Sequence, residues 1–591
     1  MKTKQSNITW NLSLLYKDLN DPQIEKDIQK AERAYMSFAE KYSKNSSYLE
    51  QESKLLSAVT DYEKLYGELD TEKPIRYFMY RTHVDSTDAE AEARLTALSQ
   101  RYSELSNKVL FFPIALSRIS KEKQKTFLAS ESLKKYKYFL EQIFDHAKYV
   151  LSEPEEKILN LKNLPAHELW VRGNEKILGK QEIVWKGKKM PLTEAGGILS
   201  SLPTKDRHIL GASISDQLKS VSDFAESELN AVVTDKKIED QLRGYEKPYS
   251  ATVLGYQNEP ETVERLVETV TKHFSIAHRF YAVKAKMLGL KKLTYADRSA
   301  QVTLKGTKKR SISFDEAVKI VKAALGKVGH EYEKTFDEFL ANGQIDVFPR
   351  KGKHGGAYCS SGRNMPTFVL LNHVPDFNSV TTMAHEMGHA LHSKFSSENQ
   401  PPLYEDYSTA TAEVASTFFE NFAFDEVFPT LSKKEQIVAL HDRIQGSIST
   451  VFRQIACFNF EVELHEQIRT KGSLSKEEIA TLLNKHMATY LGPLFKLTEN
   501  DGYFFVFWSH LRNFFYVYSY AFGEIISTAL YEMFKSGKIS EATIRQFLSA
   551  GSSARPEDIF AAAGIDVRDV SFFEEGLRKI ERDIAKLEEL L

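Results

Sequence analysis

His385-Glu386-Met387-Gly388-His389 sets two imidazoles four residues apart with a carboxylate between them. On a helix, residues four apart lie one above the other, so both rings can reach a single Zn²⁺. The intervening glutamate is swung to the side, where it can deprotonate a water held at the open position of the metal. With 16 histidines in 591 residues, composition alone would produce this pattern about 0.03 times in such a chain. From Asn378 to Ser397 the apolar residues Val380, Ala384, Met387, Leu391 and Phe395 recur at helical spacing, and His385 and His389 fall outside that stripe. The motif is therefore expected on an amphipathic helix whose ligands face a cleft. His392 shares their face, but seven helical residues span roughly 10.5 Å, too far for His385 and His392 to hold one ion. A metzincin would carry Gly at 392 and His at 395, where this chain has His392 and Phe395.

A third ligand has to come from another segment. Ser408 and Thr409 offer caps for a second helix, with Val414, Ala415, Phe418 and Phe422 on its buried face. Glu413 and Glu420 are seven apart on that helix, so they cannot both bind the same ion. The economical assignment makes Glu413 the third ligand and lets Glu420 accept a hydrogen bond from the free nitrogen of a liganding histidine. A solvated acidic face is the competing explanation of the same spacing.

These residues carry a family resemblance. The run from His385 to His392, then Ala412-Glu413-Val414-Ala415-Ser416 and Glu420, resembles the thimet-oligopeptidase family of zinc peptidases in its oligoendopeptidase F branch. The likeness extends to Trp10-Asn11-Leu12 with Leu15-Tyr16, to the loop from Gly352 to Cys359, and to the aromatic block from His510 to Gly523, so it covers nearly the whole length. It implies one Zn²⁺ per chain held by His385, His389 and Glu413, with Glu386 as general base. It also implies two helical halves enclosing a deep channel. His354, Gly355, Gly356 and Ala357 are then expected to bind substrate, the small residues letting a peptide backbone approach closely.

His510, Tyr516, Tyr518 and Tyr520 lie in a segment rich in Phe, Trp and Tyr, which by itself reads as packing. Peptide hydrolysis builds charge on the carbonyl oxygen, and an imidazole or phenol donor would stabilise it. The resemblance gives that role to a histidine and tyrosines from this region. Tyr516 and Tyr520, four apart, are expected on one helical face, whereas Tyr518 points away and is counted with the substrate-binding residues. In the animal branch glycines follow the histidine; here Leu511-Arg512-Asn513-Phe514-Phe515 follows.

The elements that must position these groups are mostly helical. Low Gly (28) and Pro (17) contents argue for long helices. Asn20 and Asp21 before Pro22 are a start signal for a helix bearing Ile24, Ile28, Ala31, Tyr35, Phe38 and Tyr42 on one line. Glycines from Gly173 to Gly197 interrupt the periodicity, Ile183 to Lys188 suggests a hairpin, and a boundary is placed near residue 200. This gives an N-terminal helical domain over 1–200 of oligopeptidase F type and a catalytic domain over 201–591. Gln344 to Phe348 and Pro366 to Asn372 are expected strands, joined by a Gly-rich loop from Gly352 to Gly362 and forming a small sheet next to the zinc helix. An exposed edge of such a sheet can pair with an extended peptide. At the C-terminus Ser571 and Glu574 suggest a capping box, and Phe573, Leu577, Ile580, Ile584 and Leu587 form the seam of a docked helix.

A net charge of -2 with no long basic run disfavours nucleic acid and acidic lipid as partners. No stretch of eighteen apolar residues and no signal-like apolar core appears, and two cysteines suit a reducing compartment, so a cytoplasmic location is expected. Cys359 is expected to be an inert buried thiol. The combined expectation is a predominantly α-helical zinc endopeptidase acting on short peptides. The alternatives are a zinc carboxypeptidase, for which Arg363 and Arg512 are the candidate carboxylate binders, and a helical binding or scaffold protein with a vestigial metal site. Side-chain preference and oligomeric state are not encoded in any feature of the sequence.

Overall fold

Asp21 begins the first long helix as its sequence demands: its side chain accepts from the N–H of Gln23, and Pro22 fills the first helical position, where no N–H is needed. Helix α1 (Pro22–Tyr42) then buries the six residues of the expected apolar line. This computed structural model describes residues 8–67, 72–304, 306 and 310–591. Helices account for 71% of it, and the named strands form two small sheets, so the chain is predominantly α-helical.

Two compact units interleave along the chain. One comprises Met1–Glu153, Arg310–Pro429 and Leu530–Ile565; the other comprises Pro154–Lys309, Thr430–Ala529 and Asp566–Leu591.

In the first unit, α1 packs beside α2 (Lys73–Val84). In the second, β1 (Glu182–Trp185) and β2 (Lys188–Pro191) form the expected hairpin. Its two turn residues, Lys186 at φ 48° and Gly187 at φ 79°, are both left-handed, as a tight two-residue hairpin requires.

The sheet of the first unit has the order β3-β5-β4, from β3 (Ile345–Asp346), β4 (Tyr358–Gly362) and β5 (Met365–Leu370). β3 runs parallel to β5 and β4 antiparallel to it. Strand β4 occupies the end of what the glycines suggested was loop. Asn364, left-handed at φ 57°, closes the β4–β5 turn and is the sequence signal for it. Trp10 anchors the sheet: it is buried, its indole N–H donates to the carbonyl of Val369 at 2.8 Å, and it packs on Tyr80, Tyr358 and Phe368.

Next come α3 (Phe377–Asn399), capped by Asp376, and α4 (Thr409–Val427), capped by Ser408, whose side chain accepts from Thr411 N–H. The second unit adds α5 (Arg453–Lys471), α6, which begins at Tyr518 and ends at Lys535, and α7 (Val570–Leu590). The seam of α7 is buried as expected, and it docks on neighbouring helices of its own unit. Its cap differs from the expected Ser571–Glu574 box: Asp569 is the N-cap and accepts from Ser571 N–H. Asp569 is a preferred N-cap residue whose carboxylate oxygen accepts from one of the first free N–H groups, which starts the helix two residues earlier than the box would. No described helix is long and apolar enough to cross a membrane.

Candidate metal centre

α3 and α4 lie closer together than most helix pairs can. A β-carbon on Gly388 would sit 2.6 Å from Ser416 Cα and 2.8 Å from the carbonyl oxygen of Ala415. The missing side chain at 388 lets α4 press its backbone against the face of α3 between the two motif histidines. Val380, Ala384, Met387, Leu391 and Phe395 are buried, while His385 and His389 are only half-buried.

One donor atom from each of His385, His389 and Glu413 lies within 4.8 Å of the others. His385 Nε2 and Glu413 Oε2 are 3.6 Å apart, close to the roughly 3.3–3.4 Å edge of a tetrahedron with bonds of about 2.0–2.1 Å. Two imidazole nitrogens and one carboxylate oxygen, with a side left open to a cavity, are a donor set suited to Zn²⁺. Glu420, about two turns further along α4, accepts from His385 Nδ1 at 3.1 Å. That bond holds a ring proton on Nδ1, so Nε2, which faces Glu413, is the atom a metal ion would take.

The electrostatics of His385, His389 and Glu386 diverge although all three line one cavity. Burial would lower the pKa of His385, but the Glu420 hydrogen bond and the carboxylates of Glu420, Glu386 and Glu413 raise it to about 9. His389 has no such partner, and burial, with His385 and His392 nearby, brings it down to about 3, so it is a neutral nitrogen donor. Glu386 is 6% exposed; burial, opposed by His385 but reinforced by Glu413 and Glu420, raises it to about 7. His392 is buried and stacks on Tyr407, with ring centroids 3.7 Å apart.

A cavity of about 400 Å³ opens beside these groups. One wall is strand β4 with Ala357; another is Ser393 and Tyr407. Sequence reasoning did not reach Tyr407, whose hydroxyl bonds Ser393 Oγ at 2.7 Å, because no spacing rule links it to the metal motif. Cys359 also lines the cavity and is half-buried rather than fully buried. Burial and the nearby Glu386 push its thiol well above the usual range, so it stays protonated and unreactive.

The loop before β4 is held from both ends. Asp346, fully buried on β3, pairs with Arg350 and Lys353. The His354 N–H donates to the carbonyl of His83 on α2, and the Asn372 side chain donates to the carbonyls of His354 and Gly356. Gly355 and Gly356 have open space where a β-carbon would be, and Gly356 is left-handed at φ 77°.

In the second unit, His510, Tyr516 and Tyr520 form a cluster, with ring centroids 5.3–6.0 Å apart. Tyr516 OH and His510 Nδ1 are 2.5 Å apart, and Gln454 approaches the other ring nitrogen at 3.3 Å. Burial and Arg453 lower His510 to about 4. Tyr516 and Tyr520 meet, but not along a helix: Tyr516 precedes the start of α6 at Tyr518, and a turn brings it round. Tyr518 has no exposed surface and donates to Asn258 at 2.9 Å, so it is a core side chain and its expected part in binding substrate is corrected. Arg363 is paired with Glu405 and Arg512 with Glu228, so neither guanidinium is open to a terminal carboxylate.

A helical scaffold with a His-Glu-x-x-His helix, a carboxylate from the next helix and a sheet edge beside them defines a metallopeptidase. Comparison with known proteins is specific. Residues 214–579, more than half of the chain, match the model of peptidase family M3, and residues 116–180 match that of oligopeptidase F. The chain belongs to peptidase family M3. It is 28% identical to Group B oligopeptidase PepB from Streptococcus agalactiae, with 88% of each chain covered, and 26% identical to an oligoendopeptidase F homolog from Lactococcus lactis over 99% of this chain and 97% of that one. In fold it resembles a peptidase structure from Chlamydophila abortus (TM-score 0.84, 23% identity, 99% and 98% covered) and oligoendopeptidase-F from Enterococcus faecium (TM-score 0.69, 20% identity, 96% and 97% covered).

Proposed function

We propose that this metalloendopeptidase uses one Zn²⁺ to hydrolyse internal bonds of short peptides, in the cytoplasm. The observation that carries the reading is the convergence of His385, His389 and Glu413 donor atoms beside the buried carboxyl of Glu386. A zinc ion held by those three residues supplies Lewis acidity to the scissile carbonyl and to water. Glu420 fixes the tautomer of His385, and Glu386 takes the proton of the attacking water and returns it to the leaving amine. His510 with Tyr516 or Tyr520 is the proposed donor to the oxyanion, a role supported by the close packing of the three rings. The loop His354, Gly355, Gly356 and Ala357, leading into edge strand β4, is the proposed platform for the peptide backbone. Residues 1–200 are taken as the oligopeptidase F-type domain and 201–591 as the catalytic domain. Two free cysteines fit the proposed location.

The test is digestion by the purified protein of peptides blocked at both ends and of the same peptides with free C-termini, with metal content measured on the same sample and cut sites mapped by mass spectrometry. Internal cuts and one zinc per chain are expected. Cuts confined to free C-termini would replace this reading by the carboxypeptidase one, and cleavage independent of metal would remove the zinc assignment.

A further inference from the structure

The segment after His510 turns on two consecutive phenylalanines with left-handed backbones, Phe514 at φ 34° and Phe515 at φ 63°. A β-carbon crowds the backbone in that region, so bulky residues adopt it only where the surroundings enforce it. Those surroundings can be traced. The Phe514 carbonyl accepts from Thr252 Oγ1 at 2.9 Å, and Phe515 is fully buried with its ring against Tyr249 and Phe458. Just upstream, Arg512 is held by both carboxylate oxygens of Glu228 and donates to the carbonyls of Phe505 and Trp508.

The N–H of Phe515 donates to Glu461 Oε1 at 2.9 Å. Glu461, on α5, is fully buried, and its other oxygen has no hydrogen-bond partner. A buried carboxyl is costly, and burial raises its pKa to about 8. Here it is engaged at one point, the backbone N–H of the left-handed residue immediately before Tyr516, whose hydroxyl meets His510.

We propose that Glu461 is a positioning residue: by holding the Phe515 N–H it keeps the Phe514–Phe515 turn in its left-handed form and sets Tyr516 against His510. The catalytic consequence rests on the proposed oxyanion role of those two residues; the geometric consequence does not.

The test uses Glu461→Asp, which draws the carboxyl back from the N–H, and Glu461→Gln, which keeps an oxygen at the original reach. Histidine ring signals are read by NMR on ¹⁵N-histidine-labelled protein, with His510 assigned through His510→Gln and Tyr516→Phe as the reference for a broken contact. Glu461→Asp is expected to move the His510 signals in the direction of Tyr516→Phe and to lower kcat by about tenfold with KM changed less than about twofold. Glu461→Gln is expected to keep both near wild type. Adding Phe514→Asn to Glu461→Asp, with a residue that tolerates left-handed backbone, should restore the His510 signals. A folded Glu461→Asp protein with wild-type His510 signals overturns the proposal. Loss of folding in both Asp and Gln variants also overturns it, by making Glu461 a general support of the core. If Glu461→Asp moves the His510 signals while Tyr516→Phe leaves kcat unchanged, the positioning holds and the oxyanion reading is what fails.

Discussion

Gly388→Ala is the most direct test of how α3 and α4 would make the proposed metal centre. The new methyl group would lie 2.6 Å from Ser416 Cα, 2.8 Å from the Ala415 carbonyl oxygen and 3.1 Å from Ser416 N, all of them backbone atoms that cannot rotate away. Relief requires α4 to move off α3 by roughly 0.8 Å or more to restore ordinary contact. Glu413 and Glu420 flank Ser416 on α4, so both would be carried away from His385, whereas metal–ligand distances tolerate only about 0.2 Å. If the helices stay together in the loaded protein, the overpacking strain of about 1–3 kcal/mol is charged against zinc affinity. That corresponds to a weakening of about 5-fold to 150-fold in Kd. Kd would be measured by competition with a chromophoric chelator and Tm by calorimetry, with and without zinc. Gly446→Ala is the control, since nothing lies within 4 Å of its β-carbon position and alanine should stabilise a helix interior by about 0.5–1 kcal/mol. A Gly388→Ala protein that binds zinc within twofold of wild type and melts no lower would refute the close-approach argument.

Glu386→Gln should retain one zinc per chain and lose nearly all turnover, because it removes the base and no ligand; activity within a few-fold of wild type would remove Glu386 from the chemistry. Glu413→Ala should abolish stoichiometric zinc, and Glu420→Ala should weaken binding by about 10–100-fold; metal analysis showing the reverse order would exchange their roles. Tyr516→Phe and Tyr520→Phe should keep Tm and zinc content, and whichever tyrosine donates to the oxyanion should lower kcat by about 10²–10³; unchanged kcat in both and in His510→Ala would take the cluster out of the mechanism. Away from the site, burial lowers the pKa of Lys284 to about 7. Between that value and the unfolded lysine value of about 10.4, the unfolded chain binds the additional proton, so this residue's destabilisation is full below pH 7 and fades as pH rises. The Tm of wild type relative to Lys284→Met should therefore climb between pH 7 and 10, and calorimetry showing a flat or falling difference would contradict it.

The sequence by itself determined the elements whose signals are local. Asp21-Pro22 and the apolar line of α1, the Lys186-Gly187 turn, the seam of α7 and the face carrying His385 and His389 follow from caps, turn chemistry and periodicity, which depend on a few adjacent residues. The spacing of Glu413 and Glu420 allowed two explanations, and proximity to His385, which arises from the packing of α3 on α4 through Gly388, is what brings both carboxylates to one imidazole. Strand β4 was hidden because Tyr358-Cys359-Ser360-Ser361-Gly362 lies in a glycine-rich stretch and carries no apolar alternation, so only its pairing with β5 defines it. Tyr407 and Cys359 carry no pattern of their own, and they line the cavity only because of where the chain returns in space. The meeting of Tyr516 with Tyr520 was expected from helical spacing, yet a strained turn achieves it, since bulky residues reach left-handed backbone only when distant groups such as Glu461 and Thr252 hold them there.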